Sequence, residues 1–149
     1  MCSSDLLPSD ILAAFLFAQL EQREKIQSHR RQVWEMYHAG LKDWASAHGV
    51  QLPYVPEHCE HPYHMFYILM PDLDRRQKMI SFLYERGIIS VFHYLPLHLS
   101  GMGAKFGGRQ GDCPVTERVS DQLVRLPFHN ALAGSDVELV IETIREFEF

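Results

Sequence analysis

Residues 11–20 read ILAAFLFAQL, and a helix drawn through them is apolar on almost every side. Pro8, Ser9 and Asp10 mark where it begins, with proline early and small polar or acidic residues in the first turn. Ile11, Leu12, Phe15, Leu16 and Leu20 form one face, and Ala13, Ala14, Phe17 and Ala18 leave the other side apolar too. Such a helix is normally buried on several sides, which is more than one small domain provides. The chain alone is therefore expected to expose this helix and to self-associate or aggregate through it. The apolar run Ile11 to Ala18 is far too short to span a membrane.

Polar residues from Glu21 open a second, amphipathic segment carried by Ile26, Val33, Trp34, Tyr37, Leu41 and Trp44, with Gly49 placed to end it. The two stretches read as one long kinked helix or as two in succession. QLPYVPEHCEHP, with three prolines, is a loop, and HMFYILM is then a buried strand. Asp72 to Arg86 is helical, with Met79, Ile80, Leu83 and Tyr84 inward and Gly87 as the stop. IISVFHY, rich in β-branched and aromatic residues, predicts a second strand. SGMGAKFGGRQGDCP reads as a glycine-rich loop, and Thr116 to Leu123 as a short helix. VRLPFH is a third strand, held to an edge or a strand end by Pro127. Ser135 and Glu138 have capping-box spacing ahead of Val137, Val140, Ile141 and Ile144, predicting a last helix. The fold class is α/β: long N-terminal helices, then an α+β small domain whose antiparallel or mixed sheet is covered by helices.

Several function classes are excluded by composition. At 149 residues with 46% hydrophobic and 22% charged residues, the chain has the make-up of a globular domain with a real core. A net charge of -5 argues against a general nucleic-acid binder, which needs a lysine and arginine surplus. MCSSDLLPSD has no positive region before an apolar one, so no signal peptide is read there. Three widely spaced cysteines, Cys2, Cys59 and Cys113, make no disulfide framework, and a reducing cytoplasm is the expected location.

The clusters that suggest chemistry have plainer readings. In EHCEHPYHM, His58, Cys59, His61 and His64 offer metal-ligand atoms, but their spacing matches no familiar pair of zinc half-sites. A polar loop entering a buried strand is preferred, and no metal or bound zinc is expected. GMGAKFGGRQG lacks the Gly-Lys-Ser/Thr ending of a phosphate-binding loop, although Lys105 and Arg109 could meet an anion. Nothing local marks Cys59 or Cys113 as an activated thiolate. From spacing and chemistry alone the reading stops at an α/β domain.

LLPSDILAAFLFAQLE, HMFYILM, VFHYLPLH and VRLPFH, in this order and at these separations, resemble the PLP-dependent sugar-nucleotide aminotransferases over nearly the whole chain. The likeness is to the C-terminal portion of proteins more than twice this length. It implies the small C-terminal domain of a fold-type I aminotransferase at residues 49–149, preceded by interdomain linking helices at 1–48. The large domain that carries the cofactor lysine would be absent. Lys25, Lys42, Lys78 and Lys105 match no cofactor-lysine motif, so no catalytic and no cofactor-binding residue is assigned, and no PLP is expected on this chain alone. Leu6 departs from the family, where tyrosine is expected.

By the same likeness, the intact enzyme would use pyridoxal 5'-phosphate to move an amino group from glutamate to C4 of a TDP-4-keto-6-deoxyhexose. The setting would be cell-surface polysaccharide (enterobacterial common antigen) synthesis. Partners would be the nucleotide sugar, glutamate, the large domain and a second subunit, with no nucleic acid and no membrane. His93, Tyr94 and His98 would be substrate-binding residues at the active-site rim, or structural hydrogen-bonders. A separate reading, a non-catalytic module that binds a partner or a nucleotide sugar, stays open.

Overall fold

A computed structural model describes residues 7–149; Cys2 and Leu6 lie outside them. The N-terminal run is two helices, α1 (Asp10–Glu21) and α2 (Arg23–His48), parted at Gln22. The Ser9 hydroxyl accepts from the Leu12 N–H to cap α1. Gly49, at φ 67°, ends α2 in the left-handed conformation that glycine adopts without steric cost.

Helix α2 turns Val33, Trp34, Tyr37, Leu41, Trp44 and Ala45 into the core. They meet α6 (Gly134–Arg145), whose Val137, Val140, Ile141 and Ile144 are buried as the periodicity predicts. Gly40 lets the two helices close up: a Cβ there would sit 2.7 Å from Ile141 Cδ1. The buried Tyr37 hydroxyl donates to the Pro127 carbonyl at 3.0 Å, so its burial leaves no orphan donor. Burial, with Asp136 nearby, pushes its pKa up.

The sheet is antiparallel and small. β1 (Tyr67–Leu69) pairs with β2 (Leu123–Arg125) in the register Tyr67↔Arg125, Ile68↔Val124 and Leu69↔Leu123. Single bridges extend it, Gln51 to Leu69 on one side and Val91 to Arg125 on the other. α3 (Leu73–Glu85) is capped by the Asp72 carboxylate, which accepts from the Arg75 N–H at 2.8 Å. It buries Met79 and Leu83, with Ile80 partly covered.

Five expectations are corrected. IISVFHY is not a full strand: Ile88 and Ser90 face inward, but only Val91 pairs, because the chain turns away at His93. Within the glycine-rich segment, residues Gly101–Lys105 form a short helix, α4, which Ser100 caps. The short helix predicted at Thr116 to Leu123 is α5 (Pro114–Gln122), and Leu123 already belongs to the sheet. Ser135 lies inside the first turn of α6; the cap is made instead by the Asp136 carboxylate accepting from the Ala133 N–H at 3.1 Å. Tyr84 points outward, 72% exposed.

Candidate functional site

Where the chain leaves Val91, it makes a tight turn through His93, Tyr94, Leu95 and Pro96 and enters a single 3-10 turn at Leu97–Leu99. Tyr94 has φ 62°, a left-handed conformation that is costly for a bulky side chain. Two elements hold the turn. From α5, the Ser120 hydroxyl donates to the Tyr94 carbonyl at 2.8 Å. From β2, Arg125 Nη1 lies 3.3 Å from His93 Nδ1. Arginine can only donate, so Nδ1 accepts and the proton of a neutral His93 ring sits on Nε2. The His93 and Tyr94 rings lie 4.8 Å apart.

This turn and α5 enclose a groove of about 430 Å³ walled by His93, Tyr94, Leu95, Leu97, Val115 and Val119. The lining has no lysine, arginine or carboxylate. A phosphate placed in it would meet no lysine or arginine, whereas the apolar face of a sugar or a base fits the leucine and valine wall. Leu97, 86% exposed, and Tyr94, 68% exposed, stand at its rim.

His98 is not part of this groove. Its Nε2 lies 2.8 Å from Glu117 Oε1, and both side chains are largely covered. Glu117 also accepts from the Gly111 N–H at 2.8 Å and the Cys113 N–H at 3.3 Å. The His98 hydrogen bond, opposed by partial burial and helped by these backbone donors, holds the Glu117 carboxyl below its ordinary range. The glycines nearby serve the same packing. A Cβ on Gly103 would lie 2.2 Å from the Leu97 carbonyl oxygen, and one on Gly108 2.4 Å from that of His98. Their spacing thus reflects close backbone approach, with Lys105 and Arg109 left exposed. Of the three residues singled out in the sequence, the structure brings His93 and Tyr94 together and gives His98 a hydrogen-bonding role beneath them.

Glu117, Ser120 and Arg125 escaped the sequence reading, and so did Arg76. Arg76 is buried, donates from Nε to the Asp121 carbonyl at 3.1 Å and lies 5.0 Å over the Phe92 ring. Burial lowers its pKa, and Asp121 opposes that shift. The one local signal was the spacing of Glu117 and Ser120, three apart on a short helix.

The histidine-rich loop folds otherwise. His61 Nδ1 accepts from the Tyr63 N–H at 3.0 Å, and its ring packs against Trp34 and Tyr63. Burial, with His64 nearby, lowers the His61 pKa. Among the described residues, no three or more of His, Cys, Asp and Glu converge as metal ligands. Cys59 and Cys113 are exposed and free. No described helix is long and apolar enough to cross a membrane.

A PLP cofactor needs a lysine for its aldehyde and an acidic partner for its ring nitrogen. Lys25, Lys42, Lys78 and Lys105 are all exposed, none lines the His93–Tyr94 groove, and no carboxylate lines it either. The residues present do not by themselves fit that group.

Residues 7–145 match the model of the DegT/DnrJ/EryC1/StrS aminotransferase family. The chain is similar to the dTDP-3-amino-3,4,6-trideoxy-alpha-D-glucose transaminase of Micromonospora megalomicea subsp. nigra, 28% identical over 92% of this chain and 36% of the relative. It is also similar to the dTDP-4-dehydro-2,3,6-trideoxy-D-glucose 4-aminotransferase of Saccharopolyspora spinosa, 27% identical over 95% of this chain and 35% of that one. In structure it resembles S. venezuelae DesV, solved in complex with a ketimine intermediate. There the TM-score is 0.81 and the identity 29%, over 90% of this chain and 35% of the other. The chain thus spans about a third of the length of these proteins.

Proposed function

Because the chain belongs to the DegT/DnrJ/EryC1/StrS aminotransferase family, we propose that it serves as the small-domain portion of a sugar-nucleotide aminotransferase and is inactive alone. On this reading, residues 49–149 are the small domain and residues 1–48 the helices that link it to a lysine-bearing large domain. The family is PLP-dependent, and PLP supplies the electron sink for amino transfer. No step through it is assigned to the side chains of this chain.

The observation that carries the proposal is the family match across residues 7–145, taken with the groove that the VFHYLPLH segment builds. In the proposed role, Tyr94 and His93 border the sugar end of the substrate. Leu95, Leu97 and Val115 offer it an apolar wall. His98, through Glu117, holds the wall in place rather than touching substrate.

We further propose that the substrate is a TDP-4-keto-6-deoxyhexose aminated at C4 with glutamate as donor, in enterobacterial common antigen synthesis, by a homodimer. Relatives named for amination at C3 and at C4 are almost equally similar, so overall identity does not select the position. The support for C4 is the resemblance of the quoted motifs.

The test is a hybrid in which a family large domain is joined upstream of this chain. It should aminate C4 of a TDP-4-keto-6-deoxyhexose from glutamate and show little turnover on ordinary 2-keto acids as final acceptors. Tyr94→Ala should lower turnover without unfolding the domain. A hybrid that prefers a 3-keto sugar would overturn the C4 choice. One that binds the nucleotide sugar without any turnover would favour the non-catalytic module.

A further inference from the structure

On the other side of α2 from the histidine-rich loop, the elbow between α1 and α2 faces the turn that leads into α6. Between them lies a groove of about 390 Å³ lined by Gln19, Gln22, Lys25, Ile26, His29 and Asn130. None of the six is acidic. Lys25 forms no ion pair among the described residues. Arg30 Nε donates to Asn130 Oδ1 at 2.7 Å, which occupies the amide oxygen and leaves the Asn130 NH₂ as a free donor. His29 Nε2 is covered and has no hydrogen-bond partner, an arrangement that buried polar atoms rarely keep.

We propose that this groove binds a phosphoryl group. Its donors come from three separate segments: the end of α1, the first two turns of α2 and the loop before α6. Donors from three sides suit a tetrahedral anion better than a planar carboxylate. A lysine beside a histidine and amide donors supplies charge-assisted hydrogen bonds. His29 Nε2 is covered, so a ligand in the groove reaches it through a local side-chain displacement, a motion of picoseconds to nanoseconds for exposed side chains. The volume exceeds what one phosphate needs, so an ester of phosphate fits better than the free ion. The assignment uses neither His93 nor Tyr94 and is independent of the aminotransferase reading.

The test is NMR titration of the full chain, at constant ionic strength with chloride as counter-anion. The probes are inorganic phosphate, phenyl phosphate and, as the planar control, acetate. Both phosphates should give saturable shifts of the His29 ring and of the Lys25 and Asn130 amides, the ester binding more tightly. Acetate should give none. Lys25→Ala and His29→Gln should each weaken phosphate binding by about tenfold, with unchanged circular dichroism as the folding control. Three outcomes would overturn the assignment: no saturable shift with either phosphate, acetate binding as tightly as phosphate, or unchanged affinity in both variants.

Discussion

Helices α1 and α6 are each twelve residues long, and the one richer in apolar residues is the one that buries nothing. In α1, Ile11, Phe15 and Phe17 are 82%, 68% and 63% exposed, whereas Val137 and Ile144 of α6 are 0% exposed. The difference lies in arrangement. Helix α6 confines its apolar side chains to one stripe, at Val137, Val140, Ile141 and Ile144, which matches the stripe on α2. Helix α1 spreads them around its circumference, so a neighbour on one side could cover only part of them. It touches the rest of the chain chiefly through the elbow at Gln22. Apolar content measures how much surface needs cover, and periodicity decides whether the same domain supplies it.

Substitutions at the two helices should separate these roles. Ile144→Ala, which empties a fully buried position, should cost about 2–5 kcal/mol in urea unfolding. Tyr94→Gly, which relieves the left-handed backbone in the groove wall, should be more stable than Tyr94→Ala by ~1 kcal/mol, read from the difference in urea midpoints. Phe15→Ser, on exposed α1, should change the stability of the chain by no more than about 0.5 kcal/mol. A large loss at Phe15 would mean that α1 is part of the folded core and would break the comparison.

A pH titration sharpens the same contrast. Glu117 and Asp72 both have carboxyl pKa values held below the ordinary range, Glu117 first by His98 and Asp72 first by the Arg75 N–H. A depressed folded pKa means that the unfolded state binds the proton first. The stabilisation is therefore full above the unfolded value of about 4 and is lost as pH falls through the folded one. Glu117→Gln should flatten part of that acid limb, and the amides of Gly111 and Cys113 should exchange faster in the variant at neutral pH.

Much of this architecture was legible because local rules and tertiary packing agree. The start of α1 at Asp10, the stop of α2 at Gly49, the helix that follows Asp72 and the inward stripe of α6 all follow from short-range chemistry. The resemblance across the quoted motifs reached the family that residues 7–145 match. What was hidden depended on distant partners. IISVFHY has strand composition, yet the turn at His93 and Tyr94 leaves only Val91 to pair. The glycines at 103 and 108 look like a flexible loop until the Leu97 and His98 carbonyls are seen against them. His98 and Glu117 are nineteen residues apart, and no periodicity links them. The groove joins a turn at 93–97 to a helix that begins at Pro114, so only its first wall could be read from the sequence.

The central claim is that α1 presents an apolar surface completed from outside the folded body that α2, α3, α6 and the sheet make. Sedimentation velocity on the wild-type chain and on a Phe15→Ser/Leu16→Ser variant, at equal concentration and with hydrogen exchange recorded on both, tests it directly. The account predicts a self-associated wild type, a monomeric variant, and the same slow exchange in α2 and α6 for both. A wild-type chain that sediments as a clean monomer, with the amides of Ile11 to Leu20 protected, would contradict it.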